Sequence, residues 1–211
     1  MVDAAAMVPA GCQHETALKL LQADPLVCAA AEAMRRCQLP QAHLVSGLLF
    51  QSIWNKLTDR RPGYGIRDID LLYFDTSDLS YEAEDRAIRA AAPLFAALQA
   101  PVEIRNQARV HLWFEQRFGR TCPPIRSIAD SLSRFVARTQ AMALSVSPDG
   151  AWSLKHPFGL EDVLALRYTP NPQWDNRTSY AQKAARIAAV WPEVTIVRWP
   201  VGSRSTRLDT L

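Results

Sequence analysis

The stretch Asp68-Ile69-Asp70-Leu71-Leu72-Tyr73-Phe74-Asp75 sets the expectation for the fold of this chain. Its apolar residues predict a β-strand over 68–74. Side chains alternate along a strand, so Asp68 and Asp70 leave the backbone on the same face. Two adjacent carboxylates repel each other and are tolerated best beside a divalent cation or another positive charge. Because Mg²⁺ prefers oxygen ligands, the pair predicts a magnesium site that could in turn hold phosphate.

The composition is that of an ordinary globular protein. The chain has 211 residues, of which 48% are hydrophobic and 21% are charged. This length allows one large domain, or a main domain with a small extension. The net charge of +3 is compatible with a small anionic substrate. There is no dense basic patch with interleaved aromatic residues, so no nucleic-acid partner is clearly indicated. A small molecule, a tRNA end and a protein side chain all stay open as acceptors.

The cysteines and the start of the chain indicate the compartment. Cys12, Cys28, Cys37 and Cys122 form no C-x-x-C pair and have no zinc-type spacing with histidine, so we expect free thiols in a reducing environment. Residues 1–11 lack the basic and apolar regions of a signal peptide. No apolar run is long enough to span a bilayer. The sequence therefore predicts a cytoplasmic protein without a membrane partner.

Helical and strand patterns alternate along the chain and favour an α+β (α/β-like) sheet domain. We expect helices over 14–23, 25–38, 48–57, 81–99 with an interruption at Pro93, 108–118, 127–135, 159–166 and 179–190. We expect strands over 68–74, 101–106 and 194–199, and a hairpin of 141–147 with 152–156 around Pro148-Asp149-Gly150. Residues 43–47 form a short apolar segment that ends in two small residues.

Three features follow one another in the order of a known enzyme superfamily. Ser46-Gly47 opens a predicted helix, the aspartate pair lies on a strand, and Glu103 lies on the next strand. This order resembles the nucleotidyltransferase superfamily typified by DNA polymerase β. More closely, the chain resembles an uncharacterised bacterial nucleotidyltransferase family over roughly residues 40–200. Besides 68–75, the matching stretches are Val102–His111, Pro157–Asp162, Asn171-Pro172 and Trp191-Pro192.

The resemblance implies a polymerase-β-type mixed sheet flanked by helices, with a C-terminal hairpin and helical extension. We expect one domain over 14–199, with its core at about 40–120 and the extension at about 121–199, between flexible tails at 1–13 and 200–211. The implied reaction moves a nucleoside monophosphate from an NTP, such as ATP, to an unidentified acceptor hydroxyl and releases pyrophosphate. The implied cofactor is a pair of Mg²⁺ ions, with Mn²⁺ as a substitute.

The resemblance also implies roles for single residues. Asp68 and Asp70 would bind both metal ions, and Glu103 would hold the ion nearer the acceptor and take the acceptor proton. The backbone N–H groups of Ser46 and Gly47 would face the triphosphate at the N-terminus of the helix. Ser46 occupies a place where the superfamily usually has glycine, which puts the close approach of the backbone to phosphate in question.

Polar residues crowd the chain just after the third acid. Arg105, Asn106 and Gln107 are candidates for contact with a base or an acceptor, and Arg109 is a candidate for phosphate. The alternative is that these side chains form local hydrogen bonds where the strand meets the next helix.

Other functions stay open at this point. The aspartates could cap a turn, and Glu103 could form a surface pair with Arg105. A catalytically weak nucleotide-binding module on the same fold, or a non-enzymatic interaction protein, are the alternatives to a transferase. No sequence pattern indicates the oligomeric state.

Overall fold

The structure is a computed structural model that describes residues 8–98 and 100–200. In this part of the chain the helices are α1 Gln13–Gln22, α2 Pro25–Cys37, α3 Gly47–Leu57, α4 Tyr81–Ala91, α5 Val110–Phe118, α6 Ile128–Ser133, α7 Glu161–Leu164 and α8 Arg177–Val190. The strands are β1 His43–Val45, β2 Ile69–Tyr73, β3 Val102–Asn106, β4 Ala143–Val146, β5 Trp152–Lys155, β6 Arg167–Tyr168 and β7 Thr195–Ile196.

The predicted tails lie mostly outside the described residues. Of these tails, the structure describes only residues 8–13 and 200. A 3-10 turn spans Ala10–Cys12 there, and α1 begins at Gln13. Within the described ranges, no helix is long and apolar enough to cross a bilayer.

Five strands form one mixed sheet in the order β3-β2-β1-β4-β5. Strands β2 and β3 are parallel, and the other neighbours are antiparallel. A separate parallel pair joins β6 to β7. The α+β class and the mixed sheet that the sequence predicts are therefore confirmed. Strand β6 was not predicted, because two residues are too short to produce an alternating pattern.

The alternation along β2 places its two faces in different surroundings. Ile69 and Leu71 are fully buried and belong to the large core, which the first helices and α8 cover. Leu72 faces the other side, where it packs in a smaller apolar cluster with Ile128 and Leu132 of α6. Asp70 is two positions before Leu72 and therefore shares its face, nearer the beginning of the strand.

Local signals fix the ends of several elements where they are predicted. The Asp24 side chain accepts hydrogen bonds from the first turn of α2, and Ser80 caps α4 by accepting from Ala83 N. Pro93 lies in a 3-10 turn that ends α4. In the hairpin of β4 and β5, Gly150 has a positive φ of 88° and donates to Ser147 O at 2.9 Å.

A buried network fastens α8 and the loop before β2 to α3. The Asn55 side chain accepts from Trp191 Nε1 at 2.9 Å and donates to Tyr64 O at 2.9 Å. Gly65 has a φ of 70°, and a Cβ atom there would lie 2.5 Å from the Trp191 ring. Only glycine fits this position without displacing α8. The network therefore holds α3, the loop before β2 and the end of α8 together.

Candidate active site

Pairing between β2 and β3 sets two acidic side chains side by side. Asp70 is the direct partner of Glu103 in the parallel register, so both side chains project from the same face of the sheet. Asp68 precedes β2 by one residue and lies two positions before Asp70. The strand order that the sequence suggested therefore brings the third acid next to the aspartate pair.

One cavity of about 600 Å³ collects most of the predicted residues. The acidic residues Asp68, Asp70 and Glu103 line it together with Ser46 and Gly47. It lies at the beginning of β2 and β3, beside the N-terminus of α3. A cavity of this size is sufficient for a small-molecule ligand.

The cavity also contains residues that the sequence analysis did not select. Arg67, Lys183 and Arg186 bring three positive charges to its wall, and Gln51 and Tyr168 line it as well. Lys183 and Arg186 are three positions apart on α8, a spacing that puts both on one side of a helix. That spacing is visible in the sequence, but nothing local indicates that this side faces acids that lie 80 or more residues earlier in the chain.

Asp68, Asp70 and Glu103, which we call the acidic edge, repel one another. Burial, followed by the negative charges of Asp68 and Glu103, raises the pKa of Asp70 to about 6. The positive charges of Lys183 and Arg105 act in the opposite direction. Asp70 is therefore a carboxylate whose ionised form lacks sufficient neutralisation by the protein itself.

The donor chemistry at this edge fits a hard divalent cation, since all three side chains offer carboxylate oxygens. The carboxylates are, however, farther apart than the ligands of a bound metal ion. Among residues 8–98 and 100–200, no three His, Cys, Asp or Glu side chains are grouped closely enough to hold one. Mutual repulsion between the carboxylates favours such a spread arrangement when no cation lies between them.

The N-terminus of α3 supplies backbone donors, although not the pair that the sequence predicted. Leu49 N and Phe50 N both donate to Ser46 O, which leaves Gly47 N and Leu48 N without an acceptor inside the helix. Ser46 N donates to Met142 O at 3.1 Å. Ser46 N is therefore already bonded to the residue that precedes β4, whereas Gly47 N keeps the position that the sequence predicted for it. The Ser46 side chain makes no capping hydrogen bond.

Ser46 has an unusual backbone conformation, with φ 56° and ψ −120°. This region favours glycine, because a side chain there crowds the neighbouring peptide groups. The structure thus gives a physical reason for the glycine that the superfamily usually has at this place.

Arg109 lies away from the cavity, contrary to its predicted role in binding phosphate. Its guanidinium forms an ion pair with Glu84 of α4, and the exposed fractions of the two side chains are 8% and 9%. Its Nε donates to Leu79 O at 2.9 Å. A buried ion pair of this kind is typical of a structural role, and Arg109 does not line the cavity.

Asn106 and Gln107 follow the local alternative as well. The Asn106 side chain accepts from Asp75 N at 3.1 Å and donates to Asp75 O at 2.8 Å. Gln107 Oε1 accepts from Ser131 Oγ at 2.6 Å. Both residues are buried and join strand ends to neighbouring segments. The structure does not bring them to a base or an acceptor.

Arg105 lies near the acidic residues but outside the cavity. Its guanidinium is 3.9 Å from the Glu103 carboxylate, and its Nη1 donates to Ile104 O at 2.9 Å. It is close enough to affect Asp70 but does not line the cavity. The surface pair of Glu103 with Arg105 and the position of Glu103 at the cavity therefore occur together.

Comparisons with known proteins agree with this arrangement. A solved structure described as a CCA-adding enzyme head domain matches with a TM-score of 0.69 and 24% identity, covering 88% of this chain and 96% of that chain. At this identity the likeness concerns the fold alone. No match was found among curated proteins. A family model described as nucleotidyltransferase matches residues 32–196, which include all the residues that line the cavity. The chain belongs to this nucleotidyltransferase family.

Proposed function

We propose that this protein transfers a nucleoside monophosphate from an NTP to an acceptor hydroxyl and releases pyrophosphate, with Asp68, Asp70 and Glu103 as the metal-binding acids. The observation that supports this most strongly is the shared cavity, which three carboxylates and three cationic side chains line beside a helix N-terminus. Such a distribution suits a substrate that brings both metal ions and phosphate groups.

Magnesium would be held by the carboxylates of Asp68, Asp70 and Glu103. When bound, it supplies activation of the acceptor oxygen and neutralises charge on the leaving pyrophosphate. The Glu103 side chain is 56% exposed, so a change of rotamer toward Asp70 costs little. The raised pKa of Asp70 supports the assignment, because a cation at this position would relieve the repulsion.

The chain's own groups act on the remaining parts of the reaction. Gly47 N and Leu48 N, at the positive end of the α3 dipole, and the Lys183 ammonium hold the phosphate groups. The acceptor oxygen forms a bond to the α-phosphorus while the bond to the pyrophosphate oxygen breaks. The acceptor proton moves to the Glu103 carboxylate, which is the acid most open to solvent and acceptor.

A second candidate is a nucleotide-binding module with weak or no transfer. Two observations favour it: Ser46 N is already bonded to Met142 O, and the acids are not gathered into a ligand set. Binding of nucleotide without metal dependence, and without release of pyrophosphate, would distinguish it from the transferase.

We also propose a cytoplasmic location. The four cysteines Cys12, Cys28, Cys37 and Cys122 are free thiols. Structural cysteines that stay unpaired are typical of reducing compartments.

The decisive experiment compares Asp70→Asn with wild type. We expect Mg²⁺-dependent binding of ATP, or of its α,β-methylene analogue, in calorimetry and thermal-shift measurements. We expect pyrophosphate release with candidate acceptors to fall by about 10²–10³-fold in the variant. Mn²⁺ should replace Mg²⁺.

The matched control is Asp75→Asn, which removes a carboxylate from the other end of the same strand. Asp75 accepts from Ser77 N at 2.9 Å and does not line the cavity. If Asp70→Asn keeps metal-dependent binding and pyrophosphate release, while remaining folded, the metal assignment is wrong.

A further inference from the structure

A second cavity of about 600 Å³ lies at the far end of β1 from the acidic edge. Strand β1 begins at His43, which lines this second cavity. Ser46 follows the strand and lines the cavity of the candidate active site, the first cavity. The two cavities have no lining residue in common. Because three strand residues span about 10 Å, the second cavity is a separate space, and a small ligand inside it does not reach the acidic edge.

The charged groups of the second cavity are all basic. Arg35, His43 and Lys155 line it, and no aspartate or glutamate among the described residues does. Arg35 is already neutralised, since its guanidinium lies 2.8 Å from the Glu32 carboxylate one turn earlier on α2. Lys155 forms no ion pair within the part of the chain that the structure describes. The Lys155 ammonium therefore brings one uncompensated positive charge to the cavity.

Lys155 contacts a buried histidine instead of an acid. Lys155 Nζ lies 2.9 Å from His43 Nε2, and His43 Nδ1 lies 2.7 Å from Gln41 O. A carbonyl oxygen only accepts, so Nδ1 carries the histidine proton and Nε2 accepts from the ammonium group. His43 is 5% exposed, and burial lowers its pKa, as does the nearby charge of Lys155. His43 is therefore neutral.

The Lys155 ammonium group has donors to spare. Among the described residues, the contact with His43 is the one hydrogen bond that Nζ forms. An ammonium group has three N–H donors, so two of them are left for a ligand.

The remaining wall of the second cavity is mostly apolar. Met34 and Leu39 come from α2 and the segment after it, and Val146 and Pro148 come from the hairpin of β4 and β5. A cavity with apolar walls and a few polar groups is typical of a site for a small organic molecule. A ligand that fits it has one negative charge for the ammonium group and an apolar body for the rest of the wall.

From this arrangement we propose that the second cavity binds a small organic acid. Its carboxylate accepts hydrogen bonds from the Lys155 ammonium, and its apolar part packs against Met34 and Leu39. A carboxylate matches this cavity, because one positive charge is uncompensated and neutral His43 has no free N–H group to offer. A phosphate monoester has nearly two negative charges at neutral pH and would leave one of them unpaired. The proposal is independent of the proposed function, since the ligand lies apart from the first cavity.

NMR spectroscopy of the whole chain tests the proposal, because it assigns binding to one of the two cavities. We expect hexanoate to shift the backbone amide signals of His43 and Ser145 in a saturable manner and to leave those of Gly47 and Leu48 in place. Acetate, which has the charge without the apolar chain, should bind more weakly by about tenfold or more. Hexanol, which has the chain without the charge, should also bind more weakly by about tenfold or more.

Lys155→Met removes the charge and keeps a side chain of similar length. Affinity for hexanoate should fall by about tenfold to a hundredfold, as for a lost hydrogen bond to a charged group. Lys155 is exposed, so the thermal midpoint of the variant should remain near that of wild type. The matched control is Lys183→Met, which removes a lysine of the first cavity and should bind hexanoate at the second cavity as wild type does.

Several results would overturn the proposal. If hexanoate gives no saturable shift, or shifts only the signals of Gly47 and Leu48, the second cavity does not bind it. Equal affinity for hexanoate and hexanol, or unchanged affinity in Lys155→Met, means that the ammonium group does not recognise the ligand. Tighter binding of hexyl phosphate than of hexanoate assigns the cavity to phosphate esters. In each case the proposed function stands, because its residues lie in the first cavity.

Discussion

Strands β2 and β3 have charged residues near both ends, and the surroundings of those charges differ between the two ends. At the beginning of the strands, Asp68, Asp70 and Glu103 face a cavity. Beyond the other end, Glu84 and Arg109 form a buried ion pair, and Glu84 Oε1 also accepts from Asn106 N at 2.8 Å. The first group depends on a partner from outside the chain, whereas the second group is satisfied by the fold.

The difference explains which charged residues belong to a site. Both groups are acidic or basic residues near the same two strands, and the sequence analysis selected a residue of each, Arg109 among them, as a candidate for the site. Burial alone does not separate them, because Asp70 is also partly buried. Hydrogen bonding separates them: the structure supplies partners for Arg109 and leaves the repulsion around Asp70 uncompensated. An uncompensated charge at a cavity is the more useful sign of function.

The largest expected effect comes from breaking the buried ion pair of Glu84 with Arg109. Arg109→Met leaves the Glu84 carboxylate buried without its cation, and we expect the free energy of unfolding to fall by about 3–5 kcal/mol. Urea denaturation measures this loss. Nucleotide affinity, measured where the variant is folded, should match wild type.

The double variant Glu84→Leu/Arg109→Met is the control, since it removes both charges and should recover much of the lost stability. A stable Arg109→Met protein with weakened nucleotide binding would return Arg109 to the site and erase the contrast between the two ends.

At the acidic edge we expect removal of a charge to raise the free energy of unfolding. The pKa of Asp70 is about 6 in the folded protein against an ordinary 3.8, so the folded state binds more protons between these values. Wild type should therefore lose stability as the pH rises from about 4 to about 6, by at most about 3 kcal/mol. Asp70→Asn lacks this loss, so it should exceed wild type in stability at pH 8 and not at pH 4.

Urea denaturation of both proteins at the two pH values measures this difference, and added Mg²⁺ should reduce it by stabilising wild type alone. Equal stability of the two proteins at pH 8 would mean that the Asp70 charge is already compensated.

The sequence predicted the elements that local chemistry defines. The helices expected from 25 and from 81 begin at those residues, Pro93 interrupts the second one, and Pro148-Asp149-Gly150 forms the expected hairpin turn. The alternation of β2 also predicted which face carries Asp70. These signals act within a few residues, so a single sequence contains them.

The partners of charged side chains could not be predicted in the same way. Arg109 and Glu84 are 25 positions apart, and α8 reaches the cavity from more than 100 positions beyond Asp70. Their contacts depend on how the helices pack on the sheet. The sequence could therefore propose Asp68, Asp70 and Glu103 but could not assign Arg109 to structure or Tyr168 and Arg186 to the cavity.

The smallest expected effect concerns the backbone of Ser46, which lines the cavity. Ser46 adopts φ 56° and ψ −120°, a conformation that costs about 1–3 kcal/mol for a residue with a side chain. Glycine removes this cost but gains freedom in the unfolded chain, which offsets about 0.5–1 kcal/mol. We expect Ser46→Gly to raise the free energy of unfolding by about 0.5–1 kcal/mol, measured by urea denaturation.

Ser46→Ala is the matched control, because it removes the hydroxyl and keeps the Cβ atom that causes the strain. It should not be stabilised. Since the Ser46 hydroxyl makes no capping bond and Ser46 N is bonded to Met142 O, nucleotide affinity should be no lower in Ser46→Gly than in wild type. A Ser46→Gly protein that is less stable than Ser46→Ala would mean that the Cβ atom at position 46 supports this end of the sheet and does not strain it.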